Sequence, residues 1–172
     1  MNLPGRSLAL LLGTALIAGC NAAPKAPDAA AAPAAPAGQV SAADIKAVRD
    51  LNASWFAHYN AHHPDSLAAL YAEDAVLMMP GQPTIRGRDA IKTAYAKDIA
   101  DMVKYGYSNN QGKNSEVTVS GDIGWESNTF TVTDKTGKRI DAGKYVTVFG
   151  RKDGKWVIVR DIWNSDDPSP ST

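Results

Sequence analysis

The sequence predicts an α+β domain, on two observations. Up to about residue 103 the apolar residues recur every three or four positions, and from Tyr105 onward they recur every second position. Helices therefore come first and strands last, the order in which helices cover one face of a mainly antiparallel sheet. The chain has 172 residues, of which 44% are hydrophobic and 21% charged, so a core of ordinary size is within reach. Lys and Arg number 18 against 18 Asp and Glu. That balance lacks the basic excess that general nucleic-acid binding requires and disfavours a polyanion partner.

The first helix starts at Ser41-Ala42-Ala43-Asp44, a hydroxyl and a carboxylate at capping-box spacing, and its apolar stripe runs Ile45, Val48, Leu51, Trp55, Tyr59. It ends near Asn60. Pro64 and Asp65-Ser66 open a second, shorter helix carrying Leu67, Leu70 and Tyr71. Ala75 to Met79 reads as a short strand closed by Pro80-Gly81 and Pro83. A third helix follows Gly87, with Ile91, Tyr95, Ile99 and Met102 on one side. Four strands complete the domain, at about Tyr107 to Val119, Ile123 to Thr133, Ile140 to Arg151 and Lys155 to Trp163. Turn signals at Gly121-Asp122, Asp134 to Gly137 and Asp153-Gly154 make them successive hairpins.

Before this domain, Arg6 precedes the apolar run Leu8 to Ala18, which is too short to span a bilayer ~30 Å thick and has the form of a secretory leader. Leu16-Ile17-Ala18-Gly19-Cys20 resembles the lipobox of bacterial lipoproteins. That resemblance implies cleavage of residues 1–19, acylation of Cys20 and anchoring in the cell envelope, with Asn21 favouring the periplasmic face of the outer membrane. Cys20 is the one cysteine of the chain, so no internal disulfide competes for it. Residues 21–40 hold ten Ala and four Pro with no large apolar side chain before Val40, which makes 20–40 a tether. The folded domain is expected over 41–167, with a frayed polar tail at 168–172.

Three stretches carry a family resemblance: Leu70-Tyr71-Ala72-Glu73-Asp74-Ala75-Val76-Leu77-Met78-Met79-Pro80-Gly81, Ile85-Arg86-Gly87-Arg88-Asp89-Ala90-Ile91, and Gly154 to Asp166 with Gly143 to Val146 before it. They resemble the NTF2-like superfold, in particular its SnoaL-like and DUF4440 (ketosteroid-isomerase-like) group. The resemblance implies a cone of three N-terminal helices packed on a curved, mainly antiparallel sheet. The mouth of such a cone admits a small molecule, or the sheet face forms a homodimer. One reaction is not implied, because this superfold hosts isomerases, dehydratases, cyclases and noncatalytic modules. Carried over by that match, the isomerase base falls on Met79 and the oxyanion tyrosine on Trp55. A thioether takes no proton, and an indole N–H is a donor of different reach.

Asp161 is the candidate acid or base. It lies between Val159 and Trp163 on one period-two face of the last strand, and burial among aromatics would raise its pKa. The competing role is a structural hydrogen bond or ion pair to a neighbour such as Arg160, Arg139 or Lys144. Tyr59, Tyr95 and Tyr145 are candidate hydroxyl donors or core aromatics. Trp55, Trp125 and Trp163, with Met79, are candidates to line a small-ligand pocket. His58 and His62 stand four apart with His63 beyond, but no third ligand is fixed by the pattern, so no metal is expected. No phosphate loop or nucleophile elbow is present, and no cofactor is expected. Three functions follow: a pocket for a small apolar or aromatic molecule; an isomerase, dehydratase or cyclase using Asp161 with a tyrosine; and a dimeric scaffold using a valine-rich sheet face.

Overall fold

Ser41 caps the first helix through its hydroxyl oxygen, which accepts from the Ala43 N–H at 3.2 Å. The computed structural model describes residues 41–167; the expected leader, the lipidated Cys20, the tether and the tail lie outside the described residues. In α1 (Ala42–Asn60) the buried line is Val48, Asn52, Phe56 and Tyr59. It is rotated from the expected stripe because a polar partner lies beneath the helix: Asn52 Nδ2 donates to Glu126 Oε1 at 2.9 Å. Ile45, Leu51 and Trp55 pack on the flank of the core, partly buried. Asp44, spaced for a capping box, reaches the sheet instead, pairing with Arg151 and accepting from the Trp156 indole N–H at 3.1 Å.

The second helix, α2 (Pro64–Ala68), starts on the proline and stops before Leu70 and Tyr71, which the sequence pattern assigns to it. Sheet pairing takes those residues. The Ile158 N–H donates to the Leu70 carbonyl at 2.8 Å, and Tyr71 opens β1 (Tyr71–Met78). An unexpected short strand, β2 (Ile85–Arg86), pairs antiparallel with β1. α3 (Arg88–Tyr105) buries the expected Ile91, Tyr95, Ile99 and Met102, and Gly106 ends it in the left-handed region at φ 68°.

The strand expected from Tyr107 to Val119 divides into β3 (Ser108–Gln111) and β4 (Glu116–Ser120). The break falls at Gly112, whose N–H reaches the Thr129 carbonyl at 2.8 Å. A Cβ there would lie 2.3 Å from Thr129 Oγ1, so only glycine fits. Both pieces run antiparallel to β5 (Ile123–Thr133), and β6 (Arg139–Lys152) and β7 (Lys155–Ser165) continue as hairpins. The order is β2-β1-β7-β6-β5-β3, with β4 also on β5 and the β1–β7 pair parallel. This is a mixed, mostly antiparallel open sheet with helices packed on one face. Leu77, Ile91, Tyr95, Phe149 and Ile158, all almost fully buried, fill the space between; each such side chain contributes roughly 1.5–3 kcal/mol by leaving water.

A β-bulge in β7 decides which side chains face that space. Cross-strand partners run from Phe149 with Ile158 to Val148 with Arg160, leaving Val159 as the extra residue. Inward positions are therefore Trp156 and Ile158 before the bulge, then Asp161 and Trp163 after it. The expectation that Val159 shares a face with Asp161 is corrected: Val159 lies over Gly150 instead.

Candidate functional site

Between α1, α3 and the inner face of β3, β5, β6 and β7 lies a cavity of ≈ 250 Å³. Its helical wall is Asn52, Trp55, Phe56 and Tyr59 from α1 with Tyr95, Asp98 and Met102 from α3. The strands add Phe130, Tyr145, Thr147, Asp161 and Trp163, and Tyr107, Asn109 and Asp141 complete the polar lining. The aromatic rings order one another. Trp55 stacks on Tyr59 with centroids 5.0 Å apart and meets Tyr95 edge-on at 5.5 Å, while Phe130 and Trp163 form a T-shaped pair at 5.7 Å.

Asp161 is buried against this wall with hydroxyl partners rather than a cation. Its Oδ2 accepts from Tyr71 OH at 2.6 Å and Tyr95 OH at 3.3 Å, and its Oδ1 from Thr147 Oγ1 at 3.3 Å. The Trp55 indole N–H donates to Tyr71 OH at 2.8 Å, extending the chain from α1 to β7. Burial pushes the Asp161 carboxyl above the usual carboxylate range, opposed by these three hydroxyl donors. The three expected ion-pair partners point elsewhere: Arg160 donates to the Val159 carbonyl, Arg139 pairs with Asp167 and Lys144 with Asp166. The ion-pair form of the structural role for Asp161 is thereby corrected, and its hydrogen-bonded form is the one present.

A second carboxylate, absent from the sequence candidates, lies across the cavity. Asp98 accepts from Tyr59 OH at 2.5 Å, and burial raises its pKa against that hydrogen bond. Tyr59, Tyr71, Tyr95 and Tyr145 are all held above the usual phenol range, first by burial and then by a neighbouring carboxylate or tyrosine. They stay protonated at neutral pH. Tyr145 belongs to a third group with Asn52, Gln111 and Glu126. Glu126 Oε1 accepts from Asn52 and Gln111 at 2.9 and 2.8 Å and from Tyr145 OH at 3.1 Å. Its Oε2 is buried with no partner, and burial raises the carboxyl pKa.

Of the pocket candidates read from the sequence, Trp55, Tyr59, Tyr95, Tyr145, Trp163 and Asp161 converge on this cavity. Met79 and Trp125 do not. Met79 follows the last residue of β1 and packs, partly buried, against the main core. Trp125 sits on β5 between the inward Gly124 and Glu126, so the strand alternation turns it to the other face of the sheet, where it is 36% exposed. Asp98, Thr147 and Tyr71 are the site residues that sequence reasoning misses. Asp98 stands three residues beyond Tyr95 on one helix and Thr147 two beyond Tyr145 on one strand, spacings that place each on its neighbour's face. Tyr71 carries no such signal, because its spacing from Leu67 and Leu70 is helical. Among the described residues no three His, Cys, Asp or Glu side chains converge as metal ligands, and His58, in the last turn of α1, is not among the cavity residues.

The geometry agrees with what known proteins show. An NTF2-like protein with a cystatin-like fold from Novosphingobium aromaticivorans superposes with a TM-score of 0.67 at 23% identity, over 74% of this chain and 85% of that one. An NTF2-like protein of unknown function from Pseudomonas putida gives 0.69 at 16% identity, over 77% and 93%. A ketosteroid isomerase-like protein from Erwinia carotovora atroseptica gives 0.59 at 20% identity, over 74% and 100%. At these identities the likeness is one of fold. No curated protein matches the chain. The sequence pattern of the SnoaL-like domain, however, matches residues 40–161, most of the chain and every strand that walls the cavity up to Asp161, and on that match the chain belongs to the SnoaL-like family.

Proposed function

We propose that this protein is an envelope lipoprotein whose SnoaL-like domain holds a compact, largely aromatic or apolar molecule in its cavity. The observation that carries the reading is the cavity itself, walled by aromatic rings and with buried Asp161 as its polar anchor. Its ≈ 250 Å³ is just below the usual range of ~300–1,000 Å³ for small-molecule pockets, which suits a ligand of one or two rings. Ketosteroid isomerase chemistry is disfavoured, since the residue matched to the base is Met79 and it lies outside the cavity lining. Titration with 2-naphthol should quench Trp55 and Trp163 emission saturably, and native mass spectrometry of the full chain should find a retained small molecule. No saturable quenching and no retained mass would overturn the reading.

A catalytic reading is favoured by one contact, the 2.6 Å hydrogen bond of Tyr71 to Asp161 inside an aromatic enclosure. There the carboxyl would move a proton and the tyrosines would polarise a substrate oxygen. Its measure is any turnover found: Asp161→Asn would abolish it. A homodimer through the outer sheet face is supported by Trp125, Val146 and Ile162, 36%, 40% and 45% exposed, and light scattering reads it directly. Anchoring rests on the Leu16 to Cys20 motif. Cys20→Ser should lose lipid labelling and leave the leader uncut; a normally labelled and processed variant overturns the anchor.

A further inference from the structure

The cavity has an uneven hydrogen-bonding character. Tyr59 OH is given to Asp98, Tyr95 OH and Thr147 Oγ1 to Asp161, Tyr145 OH to Glu126, and the Trp55 indole N–H to Tyr71. The donors that remain on the lining belong to Tyr107, Asn109 and Trp163, all on partly exposed residues. Acceptors, by contrast, are plentiful. Asp98, Asp141 and Asp161 line the cavity, and no Lys, Arg or His does. In addition, Asn109 Oδ1 is buried with no partner, an acceptor waiting for a donor.

Resting on the reading that the cavity binds a small molecule, we infer that its ligand is an organic ammonium ion, a protonated amine carried on an aromatic or apolar body. Three features meet in such a molecule. Its N–H groups supply a donor for the unpartnered Asn109 Oδ1 and for lone pairs that the lining carboxylates keep beyond their present partners. Its positive charge balances carboxylates that have only neutral partners, Asp98 with Tyr59 and Asp161 with Tyr71, Tyr95 and Thr147. The faces of Trp55, Tyr59 and Trp163 attract a cation through their ring quadrupoles, and the attraction grows when water is excluded. An anionic ligand would meet three carboxylates and no cation. A neutral aromatic would fill the space but leave the carboxylate charges without a cation, and without an N–H it would leave Asn109 Oδ1 unanswered.

The test compares three probes of matched size on the full chain by isothermal titration calorimetry at neutral pH: 2-phenylethylammonium, 2-phenylethanol and 3-phenylpropionate. The ammonium is expected to bind at least tenfold tighter than the alcohol, and the carboxylate weakest. Asp98→Asn and Asp161→Asn should each shrink the ammonium-to-alcohol ratio severalfold while leaving 2-phenylethanol within twofold. Asp98 is only partly buried, so its variant remains informative if Asp161→Asn fails to fold. Equal or tighter binding of 2-phenylethanol overturns the ammonium inference and leaves the pocket reading intact. A preference for the ammonium that survives both substitutions overturns the assignment to these carboxylates. Binding of none of the three overturns the ammonium inference, and overturns the pocket reading too where 2-naphthol also fails to quench and no small molecule is retained.

Discussion

Asp161 shows how much a single residue's role depends on the partners it finds. A buried carboxylate beside a cation makes a strut, and losing it strands a charge. Asp161 has hydroxyl donors instead, three of them, and no cation. An asparagine in its place would keep an acceptor for Tyr71 and shed a buried charge, so Asp161→Asn is expected to cost under about 1 kcal/mol. Asp161→Leu leaves the Tyr71, Tyr95 and Thr147 hydroxyls short of an acceptor. A stranded buried donor costs about 1–3 kcal/mol, partly relieved here because Tyr71 and Tyr95 are 3.3 Å apart and can bond each other. Urea denaturation should rank leucine as the more damaging change by roughly 1–2 kcal/mol. The reverse ranking would mean that the desolvated charge, not the hydrogen-bond set, dominates at this position.

At the scale of the elements, the strands are where close approach sets the cavity. Phe130 on β5 lies over Gly143 of β6, its directly paired neighbour, and the ring then meets Trp163 across the cavity wall. A Cβ on Gly143 would come within 2.5 Å of Phe130 Cζ and 2.1 Å of the Asn164 carbonyl, and the latter is backbone that cannot swing away. Gly143→Ala is therefore expected to cost about 1–3 kcal/mol and to weaken 2-naphthol binding by displacing Phe130. An unchanged thermal midpoint would refute it. The buried face of helix α3 was legible, because its four buried positions are apolar or aromatic at helical spacing. The buried line of α1 was not, since Asn52 reads as a surface residue until Glu126 is placed beneath it from 74 positions away. The bulge at Val159 was equally hidden. Nothing in Val157 to Asp161 marks an extra residue, yet without it the alternation would turn Arg160 and not Asp161 inward. Most of the site's aromatics were legible because bulky rings are rarely placed at random; the carboxylate geometry was not, because it depends on register.

Across the whole molecule, the buried acids give stability a definite pH dependence. Burial raises the folded-state pKa of Asp98, Glu126 and Asp161 above the values these groups have in the unfolded chain. Folding therefore takes up protons when the pH lies between the ordinary carboxylate values and the raised ones. The contribution of these groups is fully present below the ordinary value and is lost as pH rises through the raised values. Asp44 and Asp134 act in the opposite sense. Their pKa values are lowered, Asp44 chiefly by Arg151 and Asp134 chiefly by Thr136, so their contribution is lost as pH falls through the lowered values. Between the lowered and the raised values, on the acid side, lies the optimum. The thermal midpoint of the full chain is expected to fall as pH rises from the ordinary carboxylate values through the raised ones, and Asp161→Asn, which removes one of the raised groups, should lessen the fall. A bound ammonium ion would act against the same trend, because it favours the ionised carboxylates and so adds most stability at the higher pH. A midpoint that does not fall as pH rises from the ordinary carboxylate range toward neutrality without ligand would show that these carboxylates are not held above their unfolded values.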